Sequence, residues 1–172
     1  MIRNMEKFSD KDKAEYYHRC YKAVDGLWFV KTEEMSGFNT ALELDREVWK
    51  VMPKIQARFI KEKLEAGEGL VALGMCFSKK LKLDGFEFQI KEQKDDGSIT
   101  GVSFIISRCP WHDILIKSKR GHFSDKIGGV ICGTEYKVWA SEFGKDIRFS
   151  FGESRICRGN QCCILSFDSG RE

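Results

Sequence analysis

Apolar residues recur every three or four positions from Ser9 to Leu81, and then the period drops to two. From about Ser9 to Ser36, Tyr17, Cys20, Tyr21, Val24, Leu27 and Trp28 share one helical face. Gly37 is placed to stop that helix, because glycine accepts a left-handed backbone. Thr40-Ala41-Leu42-Glu43 has the form of a capping box and predicts a second helix running to about Ala66. Its stripe is Ala41, Leu42, Val48, Trp49, Met52, Ile55 and Phe59, and Pro53 predicts a kink or a split near Met52. Asp45 falls on this stripe. It is either an edge residue with a structural hydrogen bond or a polar group facing a pocket, because an unpaired buried carboxylate is costly. A third helix is expected from Glu68 to Leu81, followed by a turn at Asp84-Gly85.

Phe86, Phe88 and Ile90 then alternate with polar residues, as do Val102, Phe104 and Ile106 across an Asp95-Asp96-Gly97 turn. Pro110 opens a short helix to about Lys119, and a longer helix runs from about Ser124 to Phe143. Ile147, Phe149 and Phe151 mark a third strand, and Cys163, Leu165 and Phe167 a fourth. Helices, two strands, two helices and two strands predict an α+β fold. It has N-terminal helices and an antiparallel four-stranded sheet, with two helices inserted between the strand pairs. Residues 1–172 read as one domain, with a helical frame over about 9–83 and a sheet and cysteine-rich part over about 85–168.

Composition narrows the class. Net charge is +3 with both signs interspersed, too little to argue for nucleic acid. The Lys79-Lys80 and Lys117 to Arg120 runs read as solvated faces. The polar stretch Met1 to Glu15 has no apolar signal region, and no segment approaches the roughly 20 apolar residues of a membrane helix. A cytoplasmic protein is expected. Seven cysteines then read as thiols or metal ligands, and their odd number excludes complete pairing within the chain.

Five of the seven cysteines lie between Cys109 and Phe167. Cys109 and His112 are three apart, as two ligands on a helical first turn would be. Cys132 sits on the next helix. A two-residue turn at Gly159-Asn160 would set Cys157 opposite Cys162, and a turn one residue longer would exchange Cys162 for Cys163. Four ligands from Cys109, His112, Cys132, Cys157 and one of Cys162 or Cys163 would form a zinc site. An iron–sulfur cluster is the alternative. Cys109 with a histidine is also a candidate nucleophile, and a redox thiol pair is a further option. Cys20 and Cys76 read as small buried hydrophobes. Trp28, Asp45, Trp49, Trp111, Tyr136 and Trp139 are the candidates to line an apolar ligand pocket.

The series Cys109-Pro110, a cysteine-bearing helix, and Gly159-x-x-Cys162-Cys163-x-Leu165-x-Phe167 resembles the L-2-amino-thiazoline-4-carboxylic acid hydrolase-like family and its uncharacterised cytosolic relatives. It is also similar to the 4-vinyl reductase-type domain, a small-molecule-binding fold distantly akin to haem-binding domains. Asp25-Gly26-Leu27-Trp28-Phe29 and the run Ala41 to Trp49 extend the likeness over most of the chain. The resemblance implies an α+β domain, often dimeric, with an internal cavity. It implies metal or redox roles for Cys109, Cys132, Cys157 and Cys163. It also implies opening of a cyclic C–N bond by water, with a metal-bound hydroxide as the natural nucleophile. Haem is not expected, since His18 is the one histidine in the helices before the sheet.

Three readings follow. The first is a small-molecule-binding or sensor domain with a cysteine-rich metal or redox site. The second is a hydrolase using Cys109 or a metal. The third is an interaction module whose cysteines only pack. A homodimer fits any of them, and no nucleic acid or membrane partner is expected.

Overall fold

The structure is a computed structural model that describes residues 8–170. Six α-helices and four strands follow one another among these residues. They are α1 (Asp10–Ser36), α2 (Phe38–Trp49), α3 (Met52–Lys63), α4 (Gly69–Asp84), β1 (Glu87–Asp95), β2 (Ser98–Arg108), α5 (Pro110–Lys117), α6 (Ser124–Ser141), β3 (Ile147–Phe151) and β4 (Cys163–Ser169). The order is the predicted α+β one. Backbone contacts divide the chain into two compact units, one up to Asp45 and one from Arg46.

In the first unit α1 starts on a capping box. The Ser9 hydroxyl accepts from the Asp12 N–H at 3.2 Å, and the Asp12 carboxylate accepts from the Ser9 N–H at 2.8 Å. Gly37, at φ +84°, ends the helix. The next helix begins directly at Phe38, before the Thr40 box that was expected to open it. Phe38 stands edge-on to Phe29, with ring centroids 5.8 Å apart.

The predicted second helix is two helices. Val51 caps α3 without a side-chain hydrogen bond, and Pro53 stands in its first turn, where its missing N–H costs nothing. In the second unit the sheet is antiparallel throughout, in the order β1-β2-β4-β3. The β1–β2 hairpin turns on Asp96 and Gly97, at φ +48° and +81°, as a two-residue primed turn requires. α4 packs on β2 and β4, α6 packs on β3, and α3 covers both helices.

Alternation fixes which sheet face is covered. Val102 pairs with Phe167, Phe104 with Leu165 and Phe149 with Phe167, so these side chains point one way. Phe77 of α4 drives into their centre, edge-on to Phe104 (5.0 Å), Phe167 (5.1 Å), Tyr136 (5.3 Å) and Trp139 (5.3 Å). The opposite face carries Ser150, Ser166, Ser103 and Lys91 in one cross-strand row. The hydroxyls of Ser103 and Ser166 are hydrogen-bonded at 2.9 Å.

The β3–β4 connection departs from the expected tight hairpin. Gly152 N–H donates to Ile164 O at 2.9 Å and Ile164 N–H to Ser154 O at 3.1 Å, and strand pairing stops there. The Asn160 side chain then takes the Arg155 N–H at 3.0 Å, and Ile156–Arg158 coil into a 3-10 turn ended by Gly159 at φ +83°. Cys157 therefore lies in that turn, not on a strand opposite Cys162.

Candidate functional site

Side-chain geometry resolves the choice between the vicinal cysteines. Neighbours on a strand point to opposite faces. The Cys162 thiol lies 3.3 Å from the Ser154 hydroxyl, while the Cys163 thiol turns back and accepts from the Ile156 N–H at 3.0 Å. The Cys163 sulfur therefore lies on the inner side of the loop, against the segment that carries Cys157. Across from them, on α6, Gly128 leaves a gap. A Cβ built there would lie 3.5 Å from Arg155 Nη2, 3.8 Å from Cys157 Sγ and 4.0 Å from Cys132 Sγ. Arg155 is 6% exposed and its guanidinium lies over the Phe151 ring at 4.2 Å. Asp125 accepts from Arg158 Nε at 2.9 Å and stands 3.7 Å from Cys157 Sγ and 3.8 Å from Arg155 Nη1.

Cys109 caps α5 and packs, with Cys132 and Cys163, against the main core. Burial pushes the Cys109 thiol up to about 11, against a smaller downward pull from the His112 and Trp111 N–H groups. Burial raises Cys132 further, and the nearby Glu135 charge adds to it. Cys157 and Cys163 are also raised by burial, with Arg155 pulling the other way. Near neutral pH these groups are thiols, the form poor in both nucleophilicity and metal affinity.

The expected metal ligands do not converge as one set. His112 Nδ1 is 2.7 Å from the hydroxyl of buried Ser124, and Cys162 is turned to Ser154. Among the described residues no three His, Cys, Asp or Glu side chains form a group able to hold an ion. The donor set drawn up for zinc or an iron–sulfur cluster is thus not assembled.

Sequence reasoning missed the most polar feature of the interior. Lys80, expected on a solvated face, is 2% exposed. It follows Leu73, Cys76 and Phe77 at helical spacing, so it falls on the face of α4 that meets the sheet and α6. Glu135, on the buried side of α6, meets its ammonium in a short ion pair, and Asp84 lies 3.1 Å away. The rings of Phe86, Tyr136 and Phe77 lie 5.5–5.7 Å from Lys80 Nζ. Burial opposes this charge, but Glu135 and Asp84 outweigh it and raise the Lys80 pKa. A buried acid on one helix and a buried lysine on another was the available signal, but nothing in the sequence ties residue 80 to residue 135.

The predicted pocket residues divide between the two units. Tyr136 and Trp139 are buried against Phe77, with Trp139 also stacked on Phe143. Trp49 is buried edge-on to Trp111 at 6.3 Å. A cleft of about 250 Å³ lies elsewhere, where Lys137, Lys145 and Arg148 stand around Ala140 and Ile147. In the first unit Asp45 is half-buried and partnered, and Trp28 is 72% exposed. Trp28 is not alone: Tyr17, Val24 and Leu27 are also exposed, and α1 buries none of its residues. Among the described residues no helix is long and apolar enough to cross a membrane.

No curated protein matches the chain. A solved structure is similar to it: the trafficking protein particle complex subunit 3 from Naegleria fowleri, covalently bound to palmitic acid. The TM-score is 0.53 at 15% identity, over 95% of this chain and 100% of that one. Such a likeness is one of fold. Residues 10–150 match the model of a family of unknown function, DUF6125, and the chain belongs to that family.

Proposed function

We propose that this protein is an assembly subunit that pairs with a second copy of itself through α1. The observation that carries this is the surface of α1, a 27-residue helix without a buried residue. Tyr17, Tyr21, Val24 and Trp28 follow one another at spacings of four, three and four, the repeat of a helix-pairing seam. Cys20 and Leu27 widen it. Monomeric proteins rarely leave such a contiguous apolar band in water.

Area and charge favour a second copy as the occupant. Tyr17, Val24, Leu27 and Trp28 are 69%, 52%, 57% and 72% exposed. Covering them on two copies would bury roughly 1,000 Å² in total, near the lower bound for a specific interface. The seam is symmetric about the middle of the helix. An antiparallel two-fold sets Tyr17 opposite Trp28 and Tyr21 opposite Val24. Lys13 already pairs with Asp10, Arg19 with Glu15 and Lys31 with Glu34. The same two-fold brings the half of α1 that carries Lys11 and Lys22 beside the half that carries Asp25. A fold neighbour that is a subunit of a particle complex is in keeping with an assembly role.

Light scattering coupled to size exclusion tests this on the full chain. A dimer mass is expected for the wild type. Val24→Glu and Trp28→Glu should each give a monomer with an unchanged circular dichroism spectrum. A monomeric wild type, or a dimer that survives both substitutions, would sink the reading.

A further inference from the structure

We propose that Cys157 and Cys163 form an oxidisable dithiol, a modification site for small disulfides of the glutathione type. Three observations place the pair. The Cys163 sulfur accepts from the Ile156 N–H at 3.0 Å, and the Cys157 N–H also pulls the Cys163 thiol down, against the larger upward push of burial. The Cys157 thiol is only three covalent bonds from that second nitrogen. The chain between the two cysteines is held closed without them, by Asn160 on the Arg155 N–H and by Gly159 N–H on Ile156 O at 2.9 Å. The loop is thus fixed with the Cys163 sulfur against the backbone beside Cys157, and a disulfide needs its two cysteines held close in this way.

Burial, with the Asp125 carboxylate 3.7 Å from Cys157 Sγ, holds the Cys157 thiol above its usual range, so exchange is a reaction of alkaline pH. The Arg155 guanidinium lies across the gap left by Gly128, beside Cys157 Sγ, and its Nε has no hydrogen-bond partner. It is a fixed positive charge next to the sulfur that becomes a thiolate on attack. Arg158 and Gly159 are exposed, and Cys157 beside them is half-buried. Cys163 heads β4 behind it, placed to resolve a mixed disulfide.

Cys157 loses its proton and attacks one sulfur of the small disulfide, whose S–S bond breaks. One thiolate leaves and takes up a proton. Cys163, deprotonated in turn, attacks Cys157 Sγ, and the second small thiol leaves. Two protein thiols are oxidised and one small disulfide is reduced to two thiols.

The test is a non-reducing peptide map of the reduced full-length protein after incubation with oxidised glutathione at mildly alkaline pH. Trypsin cuts after Arg155, Arg158 and Arg171, so a Cys157–Cys163 bond joins the peptide of residues 156–158 to that of residues 159–171. The second peptide also holds Cys162, which the Cys162→Ser variant removes. The expected result is a cross-linked peptide in the wild type and in Cys162→Ser. In Cys163→Ser the cross-link is lost and a glutathione adduct is trapped on Cys157. A bond to Cys162, Cys132 or Cys109 would overturn the proposal. So would separate adducts on Cys157 and Cys163, or two thiols that stay reduced.

Discussion

Glu135→Leu removes one partner of the buried ion pair while keeping the side-chain volume close. Lys80 and Glu135 side chains are 2% and 5% exposed. The leucine leaves a buried ammonium whose remaining carboxylate is Asp84, 3.1 Å away and 15% exposed. Breaking such a pair on one side costs about 3–5 kcal/mol, because the surviving charge stays desolvated. For a chain of this size that is roughly a fifth to a half of the total stability and lowers Tm by about 6–20 °C. Lys80→Met with Glu135→Leu removes both charges, and Asp84 is exposed enough to be hydrated. The double variant should recover most of the loss, to within ~1–2 kcal/mol of wild type. Urea unfolding followed by tryptophan fluorescence, to which buried Trp49 and Trp139 contribute, measures all four corners of the cycle. The Lys80 pKa is raised, so its charge contributes fully below the unfolded value of about 10.4 and is lost only as pH rises through the folded one. The single-variant penalty should therefore be flat between about pH 6 and pH 9. A penalty under ~1 kcal/mol for Glu135→Leu, or a double variant worse than either single one, would refute the argument.

Alkaline stability gives a second check. Cys109 and Cys132 titrate above ordinary thiols, so the unfolded chain loses protons first and stability should fall from about pH 8.5 upward, by up to ~1.4 kcal/mol per pH unit per thiol. Cys132→Ala should flatten that slope, and an unchanged slope in urea midpoints would contradict the burial argument. Two glycines should respond oppositely to alanine. A Cβ at Gly129, inside α6, meets nothing within 4 Å, so Gly129→Ala should stabilise by ~0.5–1 kcal/mol through helix propensity. At Gly152 it would lie 2.7 Å from the Ile164 Cβ, which cannot move without its strand, so Gly152→Ala should cost about 1–3 kcal/mol. Thermal melts that reverse either sign would show that the local geometry differs.

Most of the scaffold was legible because it is written in local chemistry. Ser9, Gly37, Pro53 and Asp96-Gly97 act on their own backbone or on residues a few positions away, and each did what its chemistry predicts. The 3.6 and 2.0 periods gave the element order for the same reason. The β3–β4 connection was not legible, because its shape depends on where strand pairing ends. That point is set by Gly152 and Ser154 against Ile164, which lie ten or more positions apart. Cys162 and Cys163 could not be told apart until that register was known.

The candidate site divides along the same line. Spacing alone predicts that one face of α1 is apolar, but only the tertiary structure leaves that face exposed. Spacing alone also puts Cys109, Cys132, Cys157 and Cys163 in one half of the chain. The tertiary structure decided that the Cys163 sulfur meets the Ile156 N–H, that His112 is taken by Ser124, and that Lys80 and Glu135 meet in the core. The sequence determined the elements, because helix and strand periods, caps and turns arise from interactions between residues close in the chain. The tertiary structure decided the partners, because a side chain's chemistry depends on groups brought near it by packing, and no local pattern encodes those.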